Sequence, residues 1–79
     1  MHWDVTEVRV DGHLTLYVRF ADGTHGRVKL EPHRLTGVLA PLRDPDFFSR
    51  VYISAGAVTW PGDIDLAPDA MYRMVRPPA

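Results

Sequence analysis

The sequence predicts a small α+β fold, and three features of its patterning lead to that prediction. Apolar and polar side chains alternate from His13 to Phe20, which is typical of a strand with one buried face. Between residues 32 and 50 the alternation stops, and Pro41 and Pro45 interrupt any long helix. Alternation then returns near Val58. The expected order is an N-terminal three-stranded antiparallel meander, a short helical crossover, a second β-hairpin and a short C-terminal helix.

Length and composition limit what the chain can be. Its 79 residues are 46% hydrophobic and 24% charged and include no cysteine, so we expect one domain over residues 1–79 without disulfides or thiol chemistry. The N-terminus lacks a signal-peptide pattern, and no apolar run approaches the ~20 residues that span a bilayer, so we expect a cytoplasmic protein with no membrane partner. A net charge of −1 is too balanced to attract nucleic acid by bulk electrostatics.

The second and third strands give the clearest hairpin. Gly23 is expected to take the left-handed conformation that closes a three-residue turn over 21–23. All apolar side chains of the hairpin then lie on one face, which supports this register. The expected pairs are Phe20 with Thr24, Val18 with Gly26, Leu16 with Val28, and Leu14 with Leu30.

The first strand changes phase along its length. Val8 and Val10 alternate together, whereas Trp3 and Val5 have the opposite parity. We therefore expect a β-bulge near residues 6 and 7, which would restore Trp3 and Val5 to the buried face. A loop over 11–13 would then pair Val8 with Leu16, Val5 with Val18, and Trp3 with Phe20. A tight turn at 11–12, with a strand buried on both faces, is the alternative.

The crossover and the C-terminal half contain shorter elements. A helical turn is expected over 38–42, and Asp44 is expected to cap a second one that begins at Pro45 and is anchored by Phe47 and Phe48. A loop over 54–57 would close the second hairpin, pairing Ile53 with Val58 and Val51 with Trp60. The final helix is expected over 69–75, before Pro77 and Pro78.

The stretch at residues 60–69, WPGDIDLAPD, holds three aspartates, and two interpretations compete. Asp63, Asp65 and Asp69 could form an acidic site, but their spacing lacks the glycine and glutamate of an EF-hand loop. The structural interpretation is a type II turn centred on Pro61 and Gly62, then a short strand that turns Asp63 and Asp65 outward, then a helix start near Pro68. We favour the structural interpretation.

Other catalytic and metal-binding patterns are absent from the sequence. His2, His13, His25 and His33 lack the paired spacing of a helical metal motif, and the turns beside His13 and His25 should lie about 20 Å apart at roughly 3.3 Å per residue. The chain has no glycine-rich phosphate loop and no serine nucleophile elbow. We therefore expect no metal, no cofactor and no enzymatic activity.

A group of basic residues is the chief candidate for binding. Tyr17, Arg19, Arg27 and Lys29 should share the outer face of the second and third strands, and Arg9 can join them. Such a face could contact nucleic acid, with the tyrosine stacking on a base, or an acidic protein. An exposed strand edge, in the first hairpin or at 57–60, could also pair with a partner or with a second copy.

Several motifs, taken in order, resemble a known family. They are Trp3-x-Val5, Phe20-x-Asp22-Gly23, Leu39-x-Pro41-Leu42-x-Asp44 with Phe47, and Val58-x-Trp60-Pro61-Gly62-x-x-Asp65-x-Ala67-Pro68-Asp69 with Tyr72. This pattern is similar to the domain of unknown function 2442 family, small and mostly prokaryotic proteins, and the last segment is its most specific part. The resemblance implies a small α+β fold in which Trp60, Pro61, Gly62, Asp65, Pro68 and Asp69 have structural roles.

The resemblance also implies a class of function without a mechanism. Some relatives carry a separate helix-turn-helix domain, for which we expect no room in these 79 residues, so DNA binding does not follow from the resemblance. Many relatives are encoded beside another small uncharacterised protein, in an arrangement similar to a toxin–antitoxin pair. We therefore expect a non-enzymatic protein-interaction or regulatory module, antitoxin-like, with another small protein as its partner. A nucleic-acid-associated regulatory protein that uses Arg19, Arg27 and Lys29 is the alternative.

Overall fold

The computed structural model describes residues 2–75, which form two three-stranded antiparallel sheets, a helical crossover and a C-terminal helix. The first sheet has the order β1-β2-β3 and the second the order β4-β5-β6. The predicted α+β fold class is confirmed, and the second hairpin gains a third strand. The elements are β1 Val5–Gly12, β2 Thr15–Phe20, β3 His25–Lys29, 3₁₀ segments Pro32–Arg34 and Gly37–Arg43, α1 Pro45–Phe48, β4 Tyr52–Ser54, β5 Ala57–Trp60, β6 Ile64–Leu66 and α2 Pro68–Val75.

The hairpin of β2 and β3 has the predicted register. Leu16 is opposite Val28 and Val18 is opposite Gly26, while the N–H of Phe20 donates to the carbonyl of Thr24 at 2.8 Å. Gly23 has the expected left-handed conformation, with a φ of 89°. The alternating pattern of β2 therefore fixed both the strand and its pairing, because a slip of one residue would expose its buried side chains.

The pairing of β1 with β2 confirms the bulge but corrects the register. The ladder breaks between Val5 and Glu7, as predicted. The predicted partners are wrong by two residues. The observed pairs are Val5 with Phe20, Val8 with Val18 and Val10 with Leu16.

The turn between β1 and β2 explains this shift. Gly12 pairs with Thr15, so the connection is His13-Leu14 rather than the predicted 11–13 loop or the alternative tight turn at 11–12. Leu14 takes a φ of 51° and leaves the strand, although it stays buried. A shift of two residues keeps every side chain on its original face. The alternation of apolar and polar residues in the sequence therefore cannot distinguish the predicted register from the observed one.

The crossover follows the predicted helical turns. Residues 37–43 form a 3₁₀ segment that contains Pro41, and Asp44 caps α1 by accepting a hydrogen bond from the backbone N–H of Asp46 at 3.0 Å. Phe48 is buried, and its carbonyl accepts the indole N–H of Trp60 at 2.9 Å. This bond joins α1 directly to the second sheet.

The second sheet begins with a tighter turn than predicted. Ile53 is opposite Val58, as expected, but Ser54 also pairs with Ala57, so the loop contains only Ala55 and Gly56. Both loop residues have positive φ, at 51° and 78°. The strand β4 starts at residue 52, so the predicted pairing of residue 51 with residue 60 lies outside it.

The acidic stretch has the structural form that the sequence favoured. A turn over 61–63 joins β5 to β6, and Gly62 has the positive φ, 91°, expected of the third residue of a type II turn. Asp63 also takes a positive φ, 62°, which the sequence did not indicate. The helix α2 begins at Pro68, one residue before the prediction, and Val75 is its last described residue. The prolines at 77 and 78 lie outside the described residues.

One hydrophobic cluster joins the two sheets and the helices. The N–H of Val5 in β1 donates to the carbonyl of Gly56 in the β4–β5 turn at 2.8 Å. The helix α2 reaches the first sheet, where the Tyr72 hydroxyl donates to Asp22 Oδ2 at 2.5 Å. Gly26 lies against the side chain of Val75, close enough that a β-carbon would stand 2.9 Å from Cγ1. The largest fully buried side chains are Trp60, Phe20, Leu16, Leu42, Met71, Val18 and Val58.

Candidate interaction surfaces

The outer face of the first sheet gathers most of the predicted binding residues. Arg9, Tyr17 and Arg27 stand side by side on β1, β2 and β3, since Tyr17 is paired with both arginines. Lys29 lies two residues after Arg27 on β3, opposite Thr15. Arg19 lies two residues after Tyr17 on β2, opposite His25, and on the same face of the sheet. The structure thus places Tyr17, Arg9, Arg19, Arg27 and Lys29 on one surface, which we call the basic face.

Acidic neighbours partly neutralise the basic face. Arg9 donates to Glu7 at 2.9 Å, and Arg27 forms an ion pair with Asp11. The guanidinium of Arg9 also lies 4.1 Å from the centre of the Tyr17 ring, a cation–π contact. This arginine covers one side of the ring, so Tyr17 offers a nucleic-acid base less stacking surface than the sequence suggested.

A groove runs along the outer edge of β3, and the sequence did not indicate it. We call this feature the edge groove. Its volume is about 440 Å³. Apolar side chains from four parts of the chain line it, namely Val28, Leu30, Leu35, Leu39, Leu66 and Met74. Four charged residues border it: Arg27, Lys29, Glu31 and Arg34.

The strand β3 differs from the other sheet edges. It is five residues long, has β2 as its only sheet neighbour and pairs with it without a register break. By contrast, β1 has two register breaks, and β4 and β6 have three residues each. Bulges and short length are common ways to protect an edge from further pairing. Of the edges in the described chain, β3 is therefore the one best suited to accept a strand.

The other edge suggested by the sequence, at 57–60, is not an edge. This segment is β5, which lies between β4 and β6. Trp60 pairs with Ile64, and Val58 pairs with both Ile53 and Leu66. The prediction that β5 could accept an added strand is wrong, because β6 already pairs with that side of β5.

The aspartates of the acidic stretch lie apart from the basic face. Asp63, Asp65 and Asp69 are all exposed, and Asp65 points away from the core opposite Thr59. Asp69, in the first turn of α2, lies 3.7 Å from Arg73 one turn later. Ile64 is buried, so the outward orientation predicted for its acidic neighbours is confirmed.

The family-motif residues mostly support the second sheet and α2. Trp60 is fully buried and donates its hydrogen bond to α1. Pro61 and Gly62 form the β5–β6 turn, and Pro68 opens α2. Pro is favoured at the first helical position because that position needs no N–H donor.

Ionisable groups gather at one further place, where the β2–β3 turn meets α2. Asp22 accepts the Tyr72 hydroxyl and the backbone N–H of Thr24, and these hydrogen bonds lower the pKa of its carboxyl from 3.8 to about 2. The ring of His2 stands edge-on to the rings of Trp3 and Tyr72, and its centre lies 4.7 and 5.2 Å from their respective centres. Within residues 2–75, no group of three histidine or carboxylate side chains is placed to hold a metal ion.

The fold and its surfaces define a small α+β protein with a partly neutralised basic face and an apolar groove beside an unpaired strand edge. The chain belongs to the family described as protein of unknown function (DUF2442), whose model matches residues 5–77. No curated protein and no solved structure matches the chain. In the described part of the chain, neither helix is long and apolar enough to cross a membrane.

Proposed function

We propose that this protein is a non-enzymatic protein-interaction module, and that the edge of β3 is its contact surface. The observation that carries the proposal is the combination of an unpaired strand edge with the apolar edge groove beside it. A partner strand could satisfy the backbone groups of the edge and bury side chains in the groove. Met74, with 55% of its surface exposed, adds apolar area that such a contact would cover.

Membership of the family supports a specific kind of partner. Because the gene arrangement of many relatives is similar to that of a toxin–antitoxin pair, we propose that the partner is a small protein encoded next to this one and that the chain is its antitoxin-like half. Binding would then regulate the partner by covering part of its surface. This role needs no catalytic group on the present chain.

Co-expression with the product of the neighbouring gene tests the proposal. We expect a complex that survives gel filtration at micromolar concentration and has a defined stoichiometry. Arg34→Glu, which reverses a charge at the border of the edge groove, should weaken the complex, whereas Arg50→Glu on an exposed site elsewhere should not. If no complex forms at micromolar concentration with both proteins folded, the proposed function is wrong.

Nucleic-acid binding through the basic face is a second candidate. Four cations share that face, and Arg19 and Lys29 are in no ion pair among the described residues. Binding of this kind should weaken steeply as salt concentration rises. Arg19→Glu separates the two candidates, because Arg19 is on the basic face but does not border the edge groove. Loss of nucleic-acid binding in this variant would support the second candidate, and unchanged binding would exclude the face.

A further inference from the structure

We propose that the edge groove binds an extended segment of a partner protein in which apolar side chains alternate with acidic ones, and that this segment becomes a fourth strand of the first sheet. The inference rests on the proposed function, because it specifies the chemistry of the partner at the same surface. It does not depend on which protein supplies the segment.

The backbone of β3 is oriented to receive a strand. The carbonyl of Thr24 accepts from Phe20, and the N–H of Leu30 donates to Leu14, so the even-numbered residues of this strand bond to the β2 side. Hydrogen bonding alternates in direction along an antiparallel strand. The N–H and C=O groups of the odd-numbered residues His25, Arg27 and Lys29 therefore point away from β2, toward the position of an added strand.

The side chains on the two faces of β3 set the pattern of the incoming segment. Val28 and Leu30 are buried on the inner face, where Leu39, Leu66 and Met74 continue the apolar surface of the groove. Successive side chains of an added strand would point alternately to the inner and outer faces. Every second residue of the segment would thus contact apolar groups and should itself be apolar.

The other residues of the segment would stand on the outer face, beside cations. Arg27, which is already paired with Asp11, and Lys29 project on that face, and Arg34 borders the same groove together with Glu31, so Lys29 and Arg34 are the cations without an ion pair among the described residues. Opposite charges on neighbouring strands stabilise pairing, and like charges directly opposite each other destabilise it. Acidic side chains are therefore favoured at the outward positions of the partner segment.

The same cations argue against a second copy of β3 as the occupant. In a symmetric antiparallel pair centred on Arg27, that arginine would face its own copy and His25 would face Lys29. Positive side chains on an edge strand are a known protection against self-pairing. The positive charges of β3 thus disfavour pairing with a second copy of β3 and favour pairing with an acidic strand. This difference in affinity gives the edge its specificity.

A synthetic peptide tests this chemistry without knowledge of the natural partner. The probe is a nine-residue capped peptide in which valine alternates with glutamate, and the control replaces each glutamate with lysine. ¹⁵N NMR titration of the full chain should show the largest shifts at the amides of Arg27 and Lys29. We expect the glutamate peptide to bind at least about tenfold more tightly than the lysine peptide, because several cross-strand charge pairs change sign.

Charge reversal on the protein provides the matched comparison. Lys29→Glu/Arg34→Glu should reverse the preference, so that the lysine peptide binds more tightly. Arg19→Glu/Arg50→Glu has the same net charge but leaves the edge groove unchanged, and it should keep the original preference. Neither pair of substitutions removes an ion pair of the described residues, so both variants should fold.

Three results of the peptide experiments would overturn the inference. They are equal affinity for the two peptides, NMR shifts centred away from β3, and the same loss of preference in both double variants. A dimer of the chain that protects the β3 amides would also overturn it, since the occupant would then be a second copy.

Failure of the proposed function can be distinguished from failure of this inference. A complex with the neighbouring protein that tolerates Lys29→Glu/Arg34→Glu would refute this inference alone, and charge-selective peptide binding without that complex would refute only the assigned partner.

Discussion

Replacing Trp60 with phenylalanine should destabilise the protein strongly, because this side chain connects the second sheet to α1. Trp60 is completely buried in the middle of the second sheet. Its indole N–H donates to the carbonyl of Phe48 in α1 at 2.9 Å, and the two aromatic rings lie 5.7 Å apart. Phenylalanine keeps an aromatic ring at the site but has no donor and is smaller.

Two effects contribute to the expected loss. The Phe48 carbonyl would remain buried without this hydrogen bond, at a cost of about 1–3 kcal/mol. The smaller ring would remove apolar contacts worth about 2 kcal/mol, at roughly 0.8 kcal/mol per buried methylene-sized group. The total is about 4 kcal/mol. A chain of this length is expected to have only about 4–12 kcal/mol of stability, so Trp60→Phe should remove between about one third and all of it.

Urea unfolding monitored by circular dichroism provides the measurement. We expect a loss of about 4 kcal/mol, which corresponds to a fall in melting temperature of roughly 15–30 °C for a domain of this size. Trp3→Phe is the control, since Trp3 is only partly buried, and it should cost less than about 1.5 kcal/mol. A loss below about 1.5 kcal/mol for Trp60→Phe, with an unchanged dependence on urea, would refute the reasoning.

Three further substitutions test local features of the fold. Ala55→Asn should stabilise the protein by about 0.5–1 kcal/mol, because Ala55 has a φ of 51° in a two-residue turn where asparagine is tolerated better; a lower urea midpoint would contradict this. Asp44→Ala should cost about 1 kcal/mol by removing the cap of α1, and no change in the midpoint would show that the cap is unimportant. Tyr72→Phe should destabilise the protein near neutral pH, where Asp22 is ionised. The pKa of Asp22 is lowered in the folded state, from 3.8 to about 2, so this contribution is present above pH 4 and is lost as the pH falls toward 2. The difference in unfolding free energy between wild type and variant should therefore shrink over that range, and a constant difference would exclude the linkage.

The sequence predicted those parts of the fold in which a local pattern has only one physical solution. The alternation in β2 specifies its buried face, and the phase change before Val8 requires a bulge. The cap at Asp44 and the helix start at Pro68 follow from backbone chemistry that acts within a few residues. The register of β1 was missed because a two-residue shift leaves the same side chains buried, and only the conformation of Leu14 in the turn selects it.

Of the two candidate surfaces, one follows from a local sequence pattern and the other does not. The basic face could be predicted, because Tyr17, Arg19 and Arg27 have the parity of one sheet face. The edge groove could not, because Arg34, Leu66 and the other lining residues come from separate elements and meet only when the chain folds. The position of β6 beside β5 also depends on tertiary structure. It determines which strands of the second sheet remain at an edge.

Hydrogen exchange at the β3 amides, measured by NMR in the isolated chain and in its complex with the neighbouring protein, tests the central claim most directly. In the isolated chain, the amides of Arg27 and Lys29 should exchange rapidly, while those of Val28 and Leu30, which bond to the β2 side, should be protected. In the complex, Arg27 and Lys29 should become protected as well, because the partner's strand would accept their hydrogen bonds. Rapid exchange of both amides in a fully formed complex would contradict the account.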